Sequence, residues 1–310
     1  MIKHLLFGIC GLTILFLLGA FAFREETAEW KPYQRAYYQK LAQITGDPKV
    51  AATPLAIKQI WNADLGRADR CVTCHMGIDN PKFANEKQPL KTHPDFINGQ
   101  GDRGYMFKHT FEKFGCTICH NGDGQATRVE RTHGLVEHLD RQLLTGTAVQ
   151  SSCTKCHLEL YSSDVSWPET PLLMKGKRLA SQLGCGACHT IRQLGTNATL
   201  APELSALGSK TELSFYLVHD FSHVKGPHTT RQWVYEHFQD PQKITPGDPS
   251  APDPKDRTYP TIMPNFGLSD EESEALTVFV LSLKNPKVER IPLSYLPRIK
   301  GHLEYLLSQQ

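Results

Sequence analysis

Four short motifs combine two cysteines with a histidine in the order Cys-x-x-Cys-His. They stand at residues 71–75, 116–120, 153–157 and 185–189, and they use eight of the nine cysteines. In this pattern the two thiols add to the vinyl groups of a haem, and the adjacent histidine coordinates the iron. The sequence therefore predicts four covalently attached haem c groups. Their attachment residues would be Cys71, Cys74, Cys116, Cys119, Cys153, Cys156, Cys185 and Cys188, with His75, His120, His157 and His189 as iron ligands.

Three other uses of cysteine pairs explain the pattern less well. A zinc ribbon brings two pairs together across about 15–20 residues and needs no histidine after each pair. Disulfides suit an oxidising compartment, but they leave the repeated histidine unexplained. A thioredoxin-like redox site uses one such motif beside a βαβ unit. The four histidines therefore favour haem attachment over these alternatives.

The N-terminus carries an almost unbroken apolar run at residues 5–23, preceded by Lys3. At 1.5 Å per residue this run is about 28 Å long, enough to cross the core of a bilayer. The alternative is a cleaved signal peptide, because residues 20–22 (AFA) resemble a cleavage site. We favour an uncleaved anchor at residues 1–24, since the run stays apolar through that site. Either outcome places the rest of the chain on the periplasmic side of a bacterial cytoplasmic (inner) membrane.

The remaining composition is that of a water-soluble module. Lys+Arg number 34 against 32 Asp+Glu, so the chain has a formal net charge of +2. This balance gives no sign of a nucleic-acid partner. The length beyond the anchor allows two domains.

Residues 25–168 contain three of the four motifs but few long stretches of apolar periodicity. A domain so poor in apolar side chains needs the porphyrins themselves as its core. We therefore predict an irregular trihaem domain here, with a first helix at residues 29–45. The overall fold class is predicted to be mainly α.

Residues 169–286 show a different order of parts. A helix-like stretch at 175–183 leads into Cys185, a Met263-Pro264 pair follows, and Ser269 and Glu272 form a capping box before an apolar helical stripe. This order resembles a class I cytochrome c domain, apart from a Pro- and Asp-rich insertion at 246–259. The resemblance implies that Met263 is the sixth ligand of the fourth haem, with Met174 as an alternative.

The front half carries a second resemblance, on four segments. They lie at residues 69–79 (DRCVTCHMGID), 92–94 (THP), 109–116 (HTFEKFGC) and 132–134 (THG). These segments are similar to the multihaem cytochrome c subunits that accompany cytochrome b-type quinol-oxidising complexes. The resemblance implies quinol-oxidising membrane subunits as partners.

The remaining three haems need distal ligands if every iron is six-coordinate. His93, His109 and His133 stand in the segments just quoted, and we predict that they complete bis-histidine coordination. The sequence does not assign each histidine to an iron. His138 is a reserve candidate, and Met76 and Met106 are alternative sulfur ligands.

Two further features have open interpretations. His219 and His223 have the i, i+4 spacing of a metal-binding pair, but a solvated or haem-contacting role is favoured. The tail at residues 287–310 continues past the cytochrome-like part with several leucines. It is either a strap that packs on its own domain or a docking segment for a partner subunit.

The ligand set predicts an electron carrier rather than an enzyme. A methionine ligand raises the reduction potential relative to two histidines, so electrons should run through three lower-potential haems to the His189/Met263 haem. A soluble cytochrome or an oxidase would then accept them. One alternative is a stand-alone tetrahaem quinol dehydrogenase that feeds a periplasmic reductase, although that group lacks an appended class I domain. A multihaem reductase acting on nitrite, hydroxylamine or peroxide is the other.

Overall fold

The computed structural model describes residues 2–94, 109–136, 141–162, 167–250 and 258–297. The chain is mostly helical, which confirms the predicted fold class. It forms two compact units. Unit 1 comprises Met1–Cys116 and Asp123–Thr132, and unit 2 comprises Thr117–Gly122 and His133–Gln310. These units reflect spatial proximity, and the domain limits drawn from the sequence stay predictions.

Most of the described α-helices are short, and the longer ones are two N-terminal helices and three helices of unit 2. The described α-helices are α1 (Ile2–Glu26), α2 (Trp30–Thr45), α3 (Phe111–Phe114), α4 (Thr117–His120), α5 (Val129–Thr132), α6 (Pro171–Gln182), α7 (Glu212–Tyr216), α8 (Thr230–Gln239), α9 (Pro241–Ile244), α10 (Asp270–Ser282) and α11 (Pro286–Glu289). Two strands, β1 (Ile60–Asn62) and β2 (Arg67–Asp69), form one antiparallel hairpin. Short 3-10 helices lie at Pro48–Ala52, Cys71–Thr73, Pro81–Phe83, Gly146–Lys155, Leu158–Tyr161, Cys185–Ala187, Arg192–Leu194, Leu207–Ser209 and Leu293–Tyr295.

Helix α1 contains the apolar run, and none of its described residues is buried against the rest of the chain. It is long and apolar enough to cross a membrane. A signal sequence near an N-terminus has the same length and composition. The length and composition of α1 therefore fit either a membrane anchor or a signal sequence.

Helix α2 begins within one residue of its predicted start and ends at its predicted last residue. It buries Trp30, Gln34, Tyr38 and Ala42, which recur every four residues and so share one face. The helix ends at Gly46, whose left-handed conformation (φ 73°) suits glycine. This face packs the helix against the rest of unit 1.

Unit 1 has few buried apolar side chains among its described residues. They are Trp30, Tyr38, Ala42, Ala68, Phe83 and Phe114. The large hydrophobic cluster of the chain instead consists of residues between Leu158 and Leu283, all of them in unit 2. The described residues of unit 1 thus form a smaller apolar core than those of unit 2, and a porphyrin core for residues 25–168 stays a prediction.

Unit 2 is built on the packing of α6 against α10. The helix predicted at 175–183 begins earlier, at Pro171, because a proline at the first helical position suits the α conformation. Helix α10 begins with the predicted capping box, in which the Ser269 hydroxyl and the Glu272 side chain each bond to the other's backbone N–H.

Gly176 of α6 is the closest point of this helix crossing. A Cβ atom at this position would overlap the carbonyl oxygen of Ala275 in α10. Only glycine therefore lets the two backbones approach so closely.

We expect Gly176→Ala to lower the free energy of unfolding by about 1–3 kcal/mol, because the two helices must move apart. Denaturant unfolding of the purified protein measures the change. Arg178→Ala is the matched control, since Arg178 is exposed on the same helix and its truncation should change stability by about 0.5 kcal/mol or less. Equal stability of the Gly176 variant and the control would contradict the tight crossing.

Candidate haem attachment sites

Three of the four motifs share one local conformation. The first and fourth motifs begin with the 3-10 helices Cys71–Thr73 and Cys185–Ala187, and the third ends the 3-10 helix Gly146–Lys155. In a 3-10 turn, residues i and i+3 lie on the same side, so the two cysteines of each motif share a side. The histidine N–H then donates to the carbonyl oxygen of the first cysteine, at 2.9 Å in the first and third motifs and 3.0 Å in the fourth. This turn gathers two thiols and an imidazole, as haem attachment requires.

The first motif is fixed by buried polar side chains. Gln34 of α2 is fully buried, and its amide nitrogen donates to the carbonyl oxygens of Ala56 (2.7 Å) and Thr73 (3.0 Å). The Thr73 hydroxyl in turn donates to the Lys58 carbonyl oxygen at 2.7 Å and accepts from the Lys58 N–H at 2.9 Å. The spacer residue Thr73 therefore anchors the motif to two segments of unit 1.

Asp69 connects the strand before the first motif with the start of the second. It is the last residue of β2, is 2% exposed, and its carboxylate accepts a hydrogen bond of 2.7 Å from the Cys116 N–H. Gly115 has φ 67°, and a Cβ atom there would overlap the Asp69 carboxylate. Glycine before Cys116 is thus required both by the backbone conformation and by the close approach of Asp69.

The motif histidines present the ring nitrogen that haem iron needs. The Nδ1 atom of His120 lies 3.0 Å from the Leu144 carbonyl oxygen, and that of His189 lies 2.7 Å from the Pro202 carbonyl oxygen. A carbonyl oxygen only accepts, so Nδ1 carries the proton in both rings. The Nε2 atom is therefore left with its lone pair for a metal.

The third motif makes contacts through both of its spacer residues. Lys155 is 4% exposed, and its ammonium group donates to two oxygen atoms near the second motif. One is the carbonyl oxygen of Ile118 in α4 (2.7 Å), and the other is Oδ1 of Asn121, which follows α4 (2.8 Å). The Thr154 hydroxyl donates to the Ser282 carbonyl oxygen at the end of α10 (2.6 Å). Within unit 2, the third motif is therefore bonded to the α4 region on one side and to α10 on the other.

Burial raises the pKa of several motif thiols. Burial, with a smaller contribution from Cys71, raises the pKa of Cys74 to about 11, and burial raises the pKa of Cys153 to about 12. Burial also raises the pKa of Cys185. Redox-active dithiols have a lowered thiol pKa, so these pairs differ from a thioredoxin-like site.

The described residues include no group of three or more His, Cys, Asp or Glu side chains arranged to hold a metal ion. The protonated Nδ1 atoms of His120 and His189 and the one-turn spacing of the thiols fit the attachment of haem c.

The predicted distal histidines fall in both units. His93 and His109 lie in unit 1, where their rings contact Phe111 (centroids 6.4 Å apart) and Phe114 (4.9 Å) respectively. His133 lies in unit 2, and burial lowers its pKa, which favours the neutral imidazole that ligates iron. All three are half-buried. Their pairing with individual irons stays a prediction.

The other candidate ligands are placed as follows. Met76 is half-buried directly after His75, whereas His138 and Met106 lie outside the described residues. Met174 is 4% exposed inside the hydrophobic cluster, as expected for a packing residue.

Met263 lies in an extended loop beside α9. Its carbonyl oxygen accepts from the Gln242 amide (2.5 Å), and its N–H donates to the Thr261 hydroxyl (3.2 Å). The loop is tied to α9 again by the hydrogen bond of 3.0 Å from the Thr261 N–H to the Thr245 carbonyl oxygen. The Met263 side chain is half-buried and packs against the edge of the hydrophobic cluster. Two hydrogen bonds therefore connect the loop to α9 and the residue that follows it, and the Met263 side chain is only partly buried.

Two histidines of unit 2, His219 and His237, pack against aromatic side chains. The sequence pattern marks His219 only as part of an i, i+4 pair and does not single out His237. His237 of α8 stacks on Trp233 (4.7 Å), and His219 stacks on Phe215 (3.7 Å). Burial, with the neighbouring His189 and His219, lowers the pKa of His237 to about 4. His237 therefore lies near the fourth motif's histidine, although no sequence spacing indicates it.

The i, i+4 pair at His219 and His223 does not lie on a helix, because α7 ends at Tyr216. His223 is exposed and lies 3.8 Å from Asp220, whereas His219 packs in the aromatic stack. The two side chains thus have different surroundings, in line with the favoured non-metal interpretation.

The tail that follows α10 contributes a buried ion pair. Glu289 accepts two hydrogen bonds from the Arg141 guanidinium (2.9 and 3.1 Å) and one from the Ser209 hydroxyl (2.8 Å), and its side chain is 1% exposed. Burial alone would raise the pKa of Glu289, but the cations Lys284, Lys155 and Arg141 lower it from 4.5 to about 2. The described part of the tail therefore packs on unit 2, and residues 298–310 lie outside the described residues.

We expect the stability of the protein to fall as the pH drops from 4.5 to 2. The pKa of Glu289 is lower in the folded chain, so its contribution of about 3 kcal/mol is present above pH 4.5 and is lost as the carboxylate is protonated. Denaturant unfolding at several pH values measures this. Glu289→Gln should be less stable at pH 7 and should lose this part of the pH dependence. Glu271→Gln is the control, because Glu271 is an exposed carboxylate paired with Lys175, and this variant should behave like the wild type. A Glu289 variant with unchanged stability and pH dependence would contradict the account.

The comparisons with known proteins identify one part of the chain. Residues 173–284 match the family model of cytochrome c. No match was found among curated proteins or among solved structures. The chain thus contains a cytochrome c domain, which confirms the class I-like C-terminal part and supports covalently bound haem c and a role in electron transfer.

Proposed function

We propose that this chain is a tetrahaem c-type cytochrome that carries electrons from quinol-oxidising membrane subunits to a periplasmic acceptor. The observation that supports this most strongly is the repetition of one attachment geometry. The motif of the cytochrome c domain, at residues 185–189, has the same turn and the same histidine hydrogen bond as the first and third motifs. A chain that attaches haem at the fourth motif has the same means to attach it at the first and third, and the second motif has the same residues at the same spacing.

Different residues of the chain would attach the haems and ligate their irons. Each cysteine pair would hold one porphyrin through thioethers, and each motif histidine would supply its Nε2 atom to the iron. His93, His109 and His133 would complete three bis-histidine sites, and Met263 would complete the fourth. Bound haem supplies one-electron chemistry. Oxidation of a quinol releases two electrons and two protons, so the partner subunits would keep the proton chemistry and pass single electrons to this chain.

The contacts of the third motif support a continuous path for electrons within unit 2, from the second motif to the cytochrome c domain. Lys155 bonds to the end of the second motif's helix, and Thr154 bonds to α10 of the cytochrome c domain. The Lys155 hydrogen bond brings the second and third motifs into direct contact. Short separations between the haems at these two motifs would follow from this contact.

The proposed membrane association rests on α1. If this helix remains attached, the protein should stay with the membrane after a high-pH carbonate wash, and its intact mass should include residues 1–24. A soluble protein whose mass lacks these residues would show that α1 is a signal sequence. The haem count in the same mass spectrum is independent of this outcome.

Quinol oxidation by the purified protein separates the proposal from its closest alternative. We expect the isolated chain to oxidise a menaquinol or ubiquinol analogue slowly, and membranes that contain its partner subunits to reduce its haems rapidly. Rapid reduction of the isolated protein by the quinol would instead support a stand-alone quinol dehydrogenase. Turnover of nitrite, hydroxylamine or peroxide by the isolated protein would support an enzyme.

A further inference from the structure

The histidine of the third motif has a different hydrogen-bond partner from those of the second and fourth. The Nδ1 atom of His157 lies 2.9 Å from the carboxylate Oε1 of Glu159. His120 and His189 instead bond to backbone carbonyl oxygens. A neutral dipole therefore faces two of these rings, and a carboxylate faces the third.

The surrounding structure holds this pair in place. Glu159 lies in the 3-10 helix Leu158–Tyr161, and the side chains of His157 and Glu159 are 17% and 11% exposed. The Lys177 ammonium donates to the carbonyl oxygens of Leu160 (2.8 Å) and Ser162 (2.6 Å), which fixes the end of the same turn. The rings of Trp167 and His157 pack edge to face, with centroids 4.7 Å apart. The Lys177 bonds thus hold the turn that contains Glu159, and Trp167 packs against the imidazole.

A carboxylate in this position changes the ligand strength of the imidazole. A ring that donates its Nδ1 proton to a carboxylate becomes more basic at Nε2 and stabilises the more positively charged metal state. Because the pair is largely buried, solvent and salt screen the carboxylate charge weakly. The ferric state of an iron bound to His157 would therefore be favoured over the ferrous state.

We propose that Glu159 is a positioning residue that lowers the reduction potential of the third haem below that of the second. The proposal rests on the proposed function, since it requires a haem at Cys153 and Cys156. It separates two bis-histidine centres that ligand identity alone leaves equal. In a titration with limiting reductant, the second haem would become ferrous before the third.

The test is a potentiometric titration of the full-length protein and of Glu159→Gln, followed by optical and EPR spectra. Glutamine keeps the size of the side chain and an oxygen acceptor but removes the charge. We expect one midpoint potential to rise, with the ferrous-to-ferric ratio at a given potential increasing about tenfold, which is about 59 mV for one electron. Glu169→Gln is the matched control, because it removes the charge of an exposed carboxylate in the same region and should leave every potential unchanged.

The mass of the proteolytic peptide that contains Cys153 and Cys156 shows whether haem is attached there. If the wild-type peptide carries no haem, the proposed haem count fails, irrespective of Glu159. If the peptide carries haem and every potential of the Glu159 variant is unchanged, the inference is wrong. If the variant loses this haem, the inference requires one of the two lowest steps to vanish from the titration, and loss of a higher step would overturn it.

Discussion

Replacing Met263 with histidine should lower one midpoint potential by on the order of 100 mV or more and leave the others unchanged, given that axial ligands tune haem potentials over about 0.8 V. The physical reason is that a thioether sulfur favours ferrous iron more than a second imidazole does. Met263 is available for this role because its loop is fixed to α9 at Gln242 and Thr245 while its side chain stays half-buried. Potentiometric titration of the haem spectrum measures the change.

Met174→Leu is the control for this experiment. Met174 is the other methionine of the cytochrome c domain that was considered as a ligand, and it is 4% exposed in the hydrophobic cluster. Leucine fills nearly the same volume, so the variant should keep all four potentials. A normal titration for the Met263 variant, or a large shift for the Met174 variant, would remove Met263 from the ligand set.

Removal of the first attachment site should cost the protein one haem and the fold of unit 1. Cys71→Ala combined with Cys74→Ala leaves no thiol to hold a porphyrin at the first motif. An aromatic side chain buries about 150–250 Å². A porphyrin is larger, so its loss would cost at least about 5 kcal/mol at about 25 cal/mol per Å². Unit 1 has few buried apolar residues to offset this loss. Intact mass gives the haem count, and limited proteolysis should cut residues 30–94 in the variant.

The ninth cysteine provides the control for that variant. Cys10 is exposed on α1 and belongs to no motif, so Cys10→Ala should keep the wild-type haem count and protease resistance. A fully protected unit 1 in the double variant would show that its core does not depend on the first haem. Loss of haem from the Cys10 variant would show that the count reports folding rather than attachment.

The sequence predicts best those elements whose signals are local. The capping box at Ser269 and Glu272 and the helix that ends at Thr45 are confirmed because caps and glycine C-termini act within a few residues. The β1–β2 hairpin was not predicted, since three-residue strands carry too little alternation to be read from the sequence. Its importance lies in Asp69, whose bond to Cys116 spans 47 residues.

The site residues divide in the same way. The four motifs are contiguous, so their residues and spacing suffice to predict them. Glu159 is two residues from His157, yet only the turn at Leu158–Tyr161 shows that its carboxylate reaches the ring. His237 lies 48 residues after the fourth motif, and its proximity to His189 depends on the packing of α8. Long-range contacts of this kind follow from tertiary structure and not from local patterns.

The most direct test of the central claim is an EPR spectrum of the oxidised full-length protein in detergent, with the haem content measured on the same sample. The proposal predicts four haems for each chain, all of them low-spin, because every iron would have two protein ligands. Fewer than four haems would contradict the tetrahaem assignment. A substantial high-spin ferric signal would show an open coordination position and would contradict the assignment of this chain as an electron carrier.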